Sequence, residues 1–173
     1  GTQVRTLIRE KSSPGKKPSD IVREVNRELY SCLKDTRFYC TAQLIQIYFD
    51  TGTMLFVSAG HPDALRYTKS SGSISTIVSR SPVIGMFSDE VYLDEMMKLE
   101  SGDFILLHTD GLVEEHDPEQ QNMYGVERLK NSLLASADLG ATELLHSCLG
   151  DFYEFNGYRP QTDDITLICI KKD

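Results

Sequence analysis

The chain changes its hydrophobic period twice, and the order of those changes limits the possible folds. Helical spacing comes first. Val4, Leu7 and Ile8 lie on one face, and Ile21, Val22, Val25, Leu29 and Leu33 mark a second helix that Ser19 or Asp20 can cap. From Phe38 the period becomes that of strands. The runs TAQLIQIYF, TMLFVSAG, ALRYTK and SISTIVS are rich in β-branched and aromatic residues and are separated by DTG, HPD and SSGS, which predicts an antiparallel meander. VYLDEMMKL and DFILLHTD, joined through Glu100-Ser101-Gly102, predict a further hairpin. Helical spacing returns at Val126, Leu129, Leu133 and Leu134, and again at Leu145, Leu149 and Phe152 behind a Thr142 cap, before a closing strand DITLICIKK. Helices grouped before and after strands that are apolar on both faces predict an α+β fold in which helices cover sheets.

A length of 173 residues suits a single domain, 1–173, with one core. No stretch approaches the ~20 apolar residues of a membrane helix, and no signal peptide is visible, so the expectation is a cytoplasmic domain without membrane contact. The net charge of -8 argues against a nucleic-acid partner, which calls for clustered Lys and Arg. Cys32, Cys40, Cys148 and Cys169 have no Cys-x-x-Cys spacing and read as buried free thiols.

Three places can carry chemistry. Asp110-Gly111 ends the apolar run Phe104-Ile105-Leu106-Leu107, and Asp163-Asp164 opens the last strand. Taken alone, Asp-Gly is a common turn and paired aspartates can blunt a strand. If Asp110 and Asp163 meet as buried carboxylates, they need a shared cation, because unpaired buried charge is destabilising. Oxygen donors without a His or Cys cluster point to Mg²⁺ or Mn²⁺. Two such ions ~4 Å apart can activate a water against a phosphate ester. The third place is SAGHPDALRY, where Pro62 keeps the preceding residue out of helical geometry and leaves His61 on an irregular turn, as a packing residue or a proton donor. A competing motif, Asp50-Thr51-Gly52, spells the aspartic-protease triplet, yet it falls where a hairpin turn is required.

SAGHPDALRY, PVIGMFSDEVYLDEMMKLESGDFILLHTDGLVEEHD, YGVERLKNSL and QTDDITLICIKK occur in this order, and together they resemble the bacterial SpoIIE/RsbU-type branch of the metal-dependent protein phosphatases, relatives of protein phosphatase 2C. The resemblance covers most of the chain from about Thr2 onward. It implies a four-layer α-β-β-α sandwich that hydrolyses phosphoserine or phosphothreonine through a hydroxide bridging two Mn²⁺ or Mg²⁺ ions. It also implies that Asp110 and Asp163 are metal ligands, that Asp164 is a neighbouring or additional ligand, that Gly111 gives close backbone approach, and that His61 lies beside the metal centre. The implied substrate is a phosphorylated STAS-type anti-sigma-factor antagonist. In such relatives a strand with an acidic residue and an Asp-x-Ser-Gly-His-Gly block precede the helix matching TQVRTLIRE, and neither is in this sequence. The expectation is therefore an N-terminally truncated C-terminal part of a longer protein, with weak metal binding and little activity as it stands. Missing edge strands would also invite pairing with another chain, including a second copy. The alternative is an inactive phosphatase-like module that binds a regulatory partner.

Overall fold

The computed structural model describes residues 2–33 and 39–173, without the side chains of Thr2 and Leu33. The face on which the Leu33 side chain lies is thus not described, and the period change at Phe38 lies outside the described residues. The chain divides into two compact units, residues 1–61 with 79–99 and residues 62–78 with 100–173.

The first unit holds α1 (Thr2–Lys11), α2 (Pro18–Leu33), β1 (Ala42–Tyr48), β2 (Thr53–Ala59) and β5 (Glu95–Lys98), with sheet order β1-β2-β5. Its antiparallel register pairs Ala42 with Ala59 and Leu44 with Val57. These four residues meet Val4, Leu7, Val22, Val25 and Leu29 in one buried cluster. The helical stripe read from the sequence is thus the face laid on the sheet. Neither Ser19 nor Asp20 caps α2 in the expected way. Pro18 opens the helix, where its missing N–H costs nothing. Ser19 instead donates its N–H and its hydroxyl to the Asp94 carboxylate, at 2.8 and 2.6 Å. A carboxylate from 75 residues away thus serves the positive end of the helix.

The second unit holds β3 (Ala64–Thr68), β4 (Ser73–Ile77), β6 (Phe104–His108), α3 (Asp110–Val113), α4 (Gly125–Ala135), α5 (Ala141–Phe155) and β7 (Leu167–Lys171), with sheet order β4-β3-β6-β7. Leu65, Phe104, Leu106, Leu112, Leu129, Leu133, Leu144, Cys148 and Phe152 form its buried cluster. Burying each large apolar side chain contributes roughly 1.5–3 kcal/mol. In α5 Phe152 is buried as expected, while Leu144 and Cys148 are buried in place of Leu145 and Leu149, with Leu145 partly buried beside them. In α4, Val126 and Leu134 are exposed, and only Leu129 and Leu133 are buried. α5 begins at Ala141 with Gly140 as its N-cap, so Thr142 does not cap it.

Three further expectations are corrected. The four strands of the expected meander are two hairpins in different sheets, β1-β2 and β3-β4. The break falls where Gly60 takes φ +65° and Pro62 offers no N–H. A side chain at Gly60 would stand 2.9 Å from the Val83 nitrogen, so the chain must pass there bare. β5 and β6 do not form a hairpin either: β5 pairs with β2, and β6 with β3 and β7. Buried Asp103 redirects the chain between them, accepting the N–H groups of Lys69 and Glu100 at 2.9 and 3.1 Å. Finally, among the described residues the buried side chains form two clusters in place of one core, because each sheet buries a face under its own helices.

All four cysteines are free thiols; Cys148 is buried, Cys40 and Cys169 are half-buried, and Cys32 is exposed, against the expectation of four buried ones. Burial pushes the Cys169 thiol up to about 11. No described helix is long and apolar enough to cross a membrane.

Candidate metal centre

The antiparallel register of β6 and β7 pairs His108 with Leu167. Thr109, just past the pair, extends the contact: its N–H donates to the Thr166 carbonyl at 3.1 Å, and its hydroxyl accepts the Thr166 N–H at 2.9 Å. The same hydroxyl donates to the Asp164 carbonyl at 3.0 Å. The next two residues, Asp110 and Gly111, therefore face the segment Asp163-Asp164. At Gly111 the approach is so close that a Cβ would lie 2.7 Å from the Asp164 carbonyl oxygen and 3.3 Å from the Asp163 carbonyl carbon.

Asp110 is also the first residue of α3, where a carboxylate is favoured by the helix dipole. Its Oδ1 accepts the Gly111 N–H at 3.0 Å, and its carbonyl accepts the Glu114 N–H at 2.9 Å. Asp163 makes the equivalent local contact, its Oδ1 accepting the Asp164 N–H at 2.7 Å. These bonds engage one oxygen of each carboxylate. Asp110, Asp163 and Asp164 are all exposed, against the expectation of buried carboxylates. Water already stabilises them, so burial alone does not call for a cation.

Next to the corner, His108 is 3% exposed, and its Nδ1 lies 3.2 Å from the Thr109 carbonyl. Burial pushes its pKa down, against the opposing pull of the Thr109 and Asp63 backbone and the Asp63 and Asp110 carboxylates. Four of the sequence-derived site residues, Asp110, Gly111, Asp163 and Asp164, therefore come together. His61 belongs to the first unit, where its Nδ1 lies 3.0 Å from Thr41 Oγ1.

The corner suits a hard divalent cation in the chemistry of its donors, which are all carboxylate oxygens, the kind Mg²⁺ and Mn²⁺ prefer. Gly111 is needed for a different reason, because the Asp164 backbone fills the place a side chain would take. The set is incomplete in number, however, since such ions take about six oxygens. Among the described residues no group of three or more His, Cys, Asp or Glu side chains gathers to hold a metal. Sequence reasoning passed over Thr109, Glu115 and Thr162, whose side chains tie the acidic segments in place. Thr109 and Thr162 are marked in the sequence by their adjacency to Asp110 and Asp163, and Glu115 by nothing.

Comparison with known proteins identifies the fold and the family. The chain is 31% identical over 114 residues to phosphoserine phosphatase RsbP of Bacillus subtilis, a match covering 64% of this chain and 28% of RsbP. The chain thus spans little more than a quarter of that relative's length. The SiaA-PP2C domain of Pseudomonas aeruginosa superposes with a TM-score of 0.84 at 21% identity, over 99% of this chain and 68% of that one. The phosphatase domain of the cell-fate determinant SpoIIE from Bacillus subtilis, presoaked with Mn, superposes with a TM-score of 0.65 at 12% identity, over 100% and 74%. These likenesses show the expected fold, antiparallel sheets flanked by helices of the protein phosphatase 2C type. The family model of Stage II sporulation protein E matches residues 1–173, across both units, and the chain belongs to the SpoIIE family.

Proposed function

We propose that the chain acts as a metal-dependent protein serine/threonine phosphatase, removing phosphate from phosphoserine or phosphothreonine on a regulatory protein of the STAS type. The observation that supports this reading is the packing of Gly111 on the backbone of Asp163 and Asp164, which brings the segment after β6 against the segment before β7. The name of the relative RsbP, a phosphoserine phosphatase, supports the reaction class. The Mn-presoaked SpoIIE phosphatase domain supports the choice of ion.

In this reading Asp110 and Asp163 hold Mn²⁺ or Mg²⁺, and Asp164 serves as neighbour or further ligand. When bound, such ions supply a nucleophile from water at neutral pH and offset the charge of the phosphate. The chain's own residues set the stage. Thr109 ties the end of β6 to the start of β7. Gly111 lets the two backbones meet. The local N–H bonds hold one oxygen of Asp110 and one of Asp163. His61, from the first unit, has no assigned step here. The net charge of -8 favours a protein substrate over nucleic acid.

A second reading, an inactive relative that binds a regulatory partner, is favoured by the shortage of clustered ligands among the described residues. One experiment separates the two. Mn²⁺ is titrated by calorimetry into the protein and into Asp110→Asn and Asp163→Asn, with hydrolysis of a phosphoserine peptide followed in the same samples. Binding and turnover that both variants abolish, with the melting temperature preserved, support the enzyme. Turnover that survives either substitution overturns the ligand assignment. A folded protein that shows neither binding nor turnover favours the partner-binding module.

A further inference from the structure

Glu115 is 3% exposed, and a buried carboxylate is costly unless its oxygens are satisfied. Here they are. Oε2 accepts the Thr162 N–H at 2.8 Å and the Thr162 hydroxyl at 3.1 Å, while Oε1 accepts the His116 N–H at 3.2 Å. The Glu115 backbone is fixed as well, since its carbonyl accepts the Tyr124 N–H at 2.8 Å. Thr162 is the residue immediately before Asp163, and Glu115 follows the short helix that starts at Asp110. The carboxylate therefore links the chain just after one acidic residue to the chain just before the other.

The surrounding contacts stiffen this link. Arg159 donates from Nη2 to the His116 carbonyl at 2.9 Å and from Nε to the Asn156 carbonyl at 2.9 Å. Asn156 returns a bond from Nδ2 to the Arg159 carbonyl at 3.0 Å. Gly157, at φ +65°, sits so close to Pro118 that a Cβ would stand 2.8 Å from its Cγ. The loop leading to Asp163 is thus pinned to the segment that follows α3 at several points, and Glu115 is the pin nearest the aspartates.

We infer that Glu115 is a positioning residue that holds Asp163-Asp164 in register with Asp110-Gly111 and thereby sets the affinity of this corner for Mn²⁺ without touching the ion. The inference rests on the ligand roles proposed above. Groups that orient ligands from outside the coordination shell typically change metal affinity 10- to 100-fold when removed, roughly the effect expected here. A carboxylate that merely packed the loop would leave affinity unchanged.

The test is a Mn²⁺ titration of the whole chain read by NMR, in which the paramagnetic ion broadens nearby amide signals even when binding is weak. In the unaltered protein the signals of Gly111, Asp163 and Asp164 should broaden first. Glu115→Ala should raise the midpoint roughly 10- to 100-fold. Glu115→Gln, which keeps one acceptor for Thr162, should fall between. Glu119→Ala removes the same charge from an exposed residue of the same segment and should leave the midpoint in place. Melting curves establish that each variant is folded, and if Glu115→Ala is not, Glu115→Gln decides. Folded Glu115 variants with an unchanged midpoint overturn the inference, as does an equal loss in Glu119→Ala, which would make the effect one of charge alone. If the unaltered protein shows no broadening at these amides, or Asp163→Asn leaves it intact, the ligand reading itself fails and the inference falls with it.

Discussion

Asp50-Thr51-Gly52 and Asp110-Gly111 both set an aspartate and a glycine at the end of a strand, yet their surroundings differ in reach. Around Asp50 the side-chain bonds are local: its Oδ1 accepts the Thr51 N–H, and the Thr51 hydroxyl accepts the Thr53 N–H, while Gly52 N–H donates to the Tyr48 carbonyl. That is a hairpin turn between β1 and β2, and its distant tie is a backbone bond in which the Gly52 carbonyl accepts the Leu99 N–H at 3.1 Å. Around Asp110 the neighbouring Thr109 hydroxyl bonds residues 55 and 57 positions away, and Gly111 packs on a backbone equally remote. A turn motif therefore acquires chemical meaning from the distant segment it meets, and its letters alone do not separate the two cases.

This contrast can be tested by a graded set of substitutions. The largest effect is expected from Gly111→Ala, because the new Cβ meets backbone atoms that cannot rotate away. We expect a loss of about 1–3 kcal/mol in urea unfolding, together with loss of Mn²⁺-dependent turnover. Next, Thr109→Val should cost about 1–2 kcal/mol by removing both hydroxyl bonds across β6 and β7, and should weaken Mn²⁺ binding in calorimetry. Gly52→Ala places a side chain at φ +70° and should cost about 1 kcal/mol, with turnover per folded molecule unchanged. The smallest effect belongs to Asp50→Asn, expected to stay within about 0.5 kcal/mol and to leave turnover as it was. If Asp50→Asn removed activity while Gly111→Ala kept it, the contrast would be reversed and the chemistry assigned to the wrong turn.

Much of the local structure was legible in the sequence. Strand runs such as Ala42–Tyr48 and Phe104–His108 announce themselves by composition, and the α2 face of Val22, Val25 and Leu29 by period. What escaped depends on partners far along the chain. Nothing near Ser19 signals that Asp94 will serve the start of α2. Nothing in DFILLHTD says that it will leave the preceding strand and join Ala64–Thr68. In α5 Leu144 and Cys148 took the place of Leu145 and Leu149 because these four form two apolar rows, and only packing chooses the inner one. At the site, Asp110 and Asp163 stood out as acidic residues beside apolar runs. Their exposure and the tie through Glu115 and Thr162 did not, because hydrogen bonds across 47 positions leave no periodic trace.

The exchange of chain between the two units has a consequence for how this protein is made. Neither unit is one continuous stretch: residues 62–78 of the second are enclosed by the two parts of the first. During synthesis β1 and β2 can pair early, but β2 must wait for Glu95–Lys98 before its other edge is filled. The β3–β4 hairpin likewise stays half-partnered until Phe104–His108 emerges, and β6 then waits for the last strand. Such deferred pairing slows folding and keeps strand edges open while the chain grows. No cut between residues 62 and 99 leaves either unit on a single fragment.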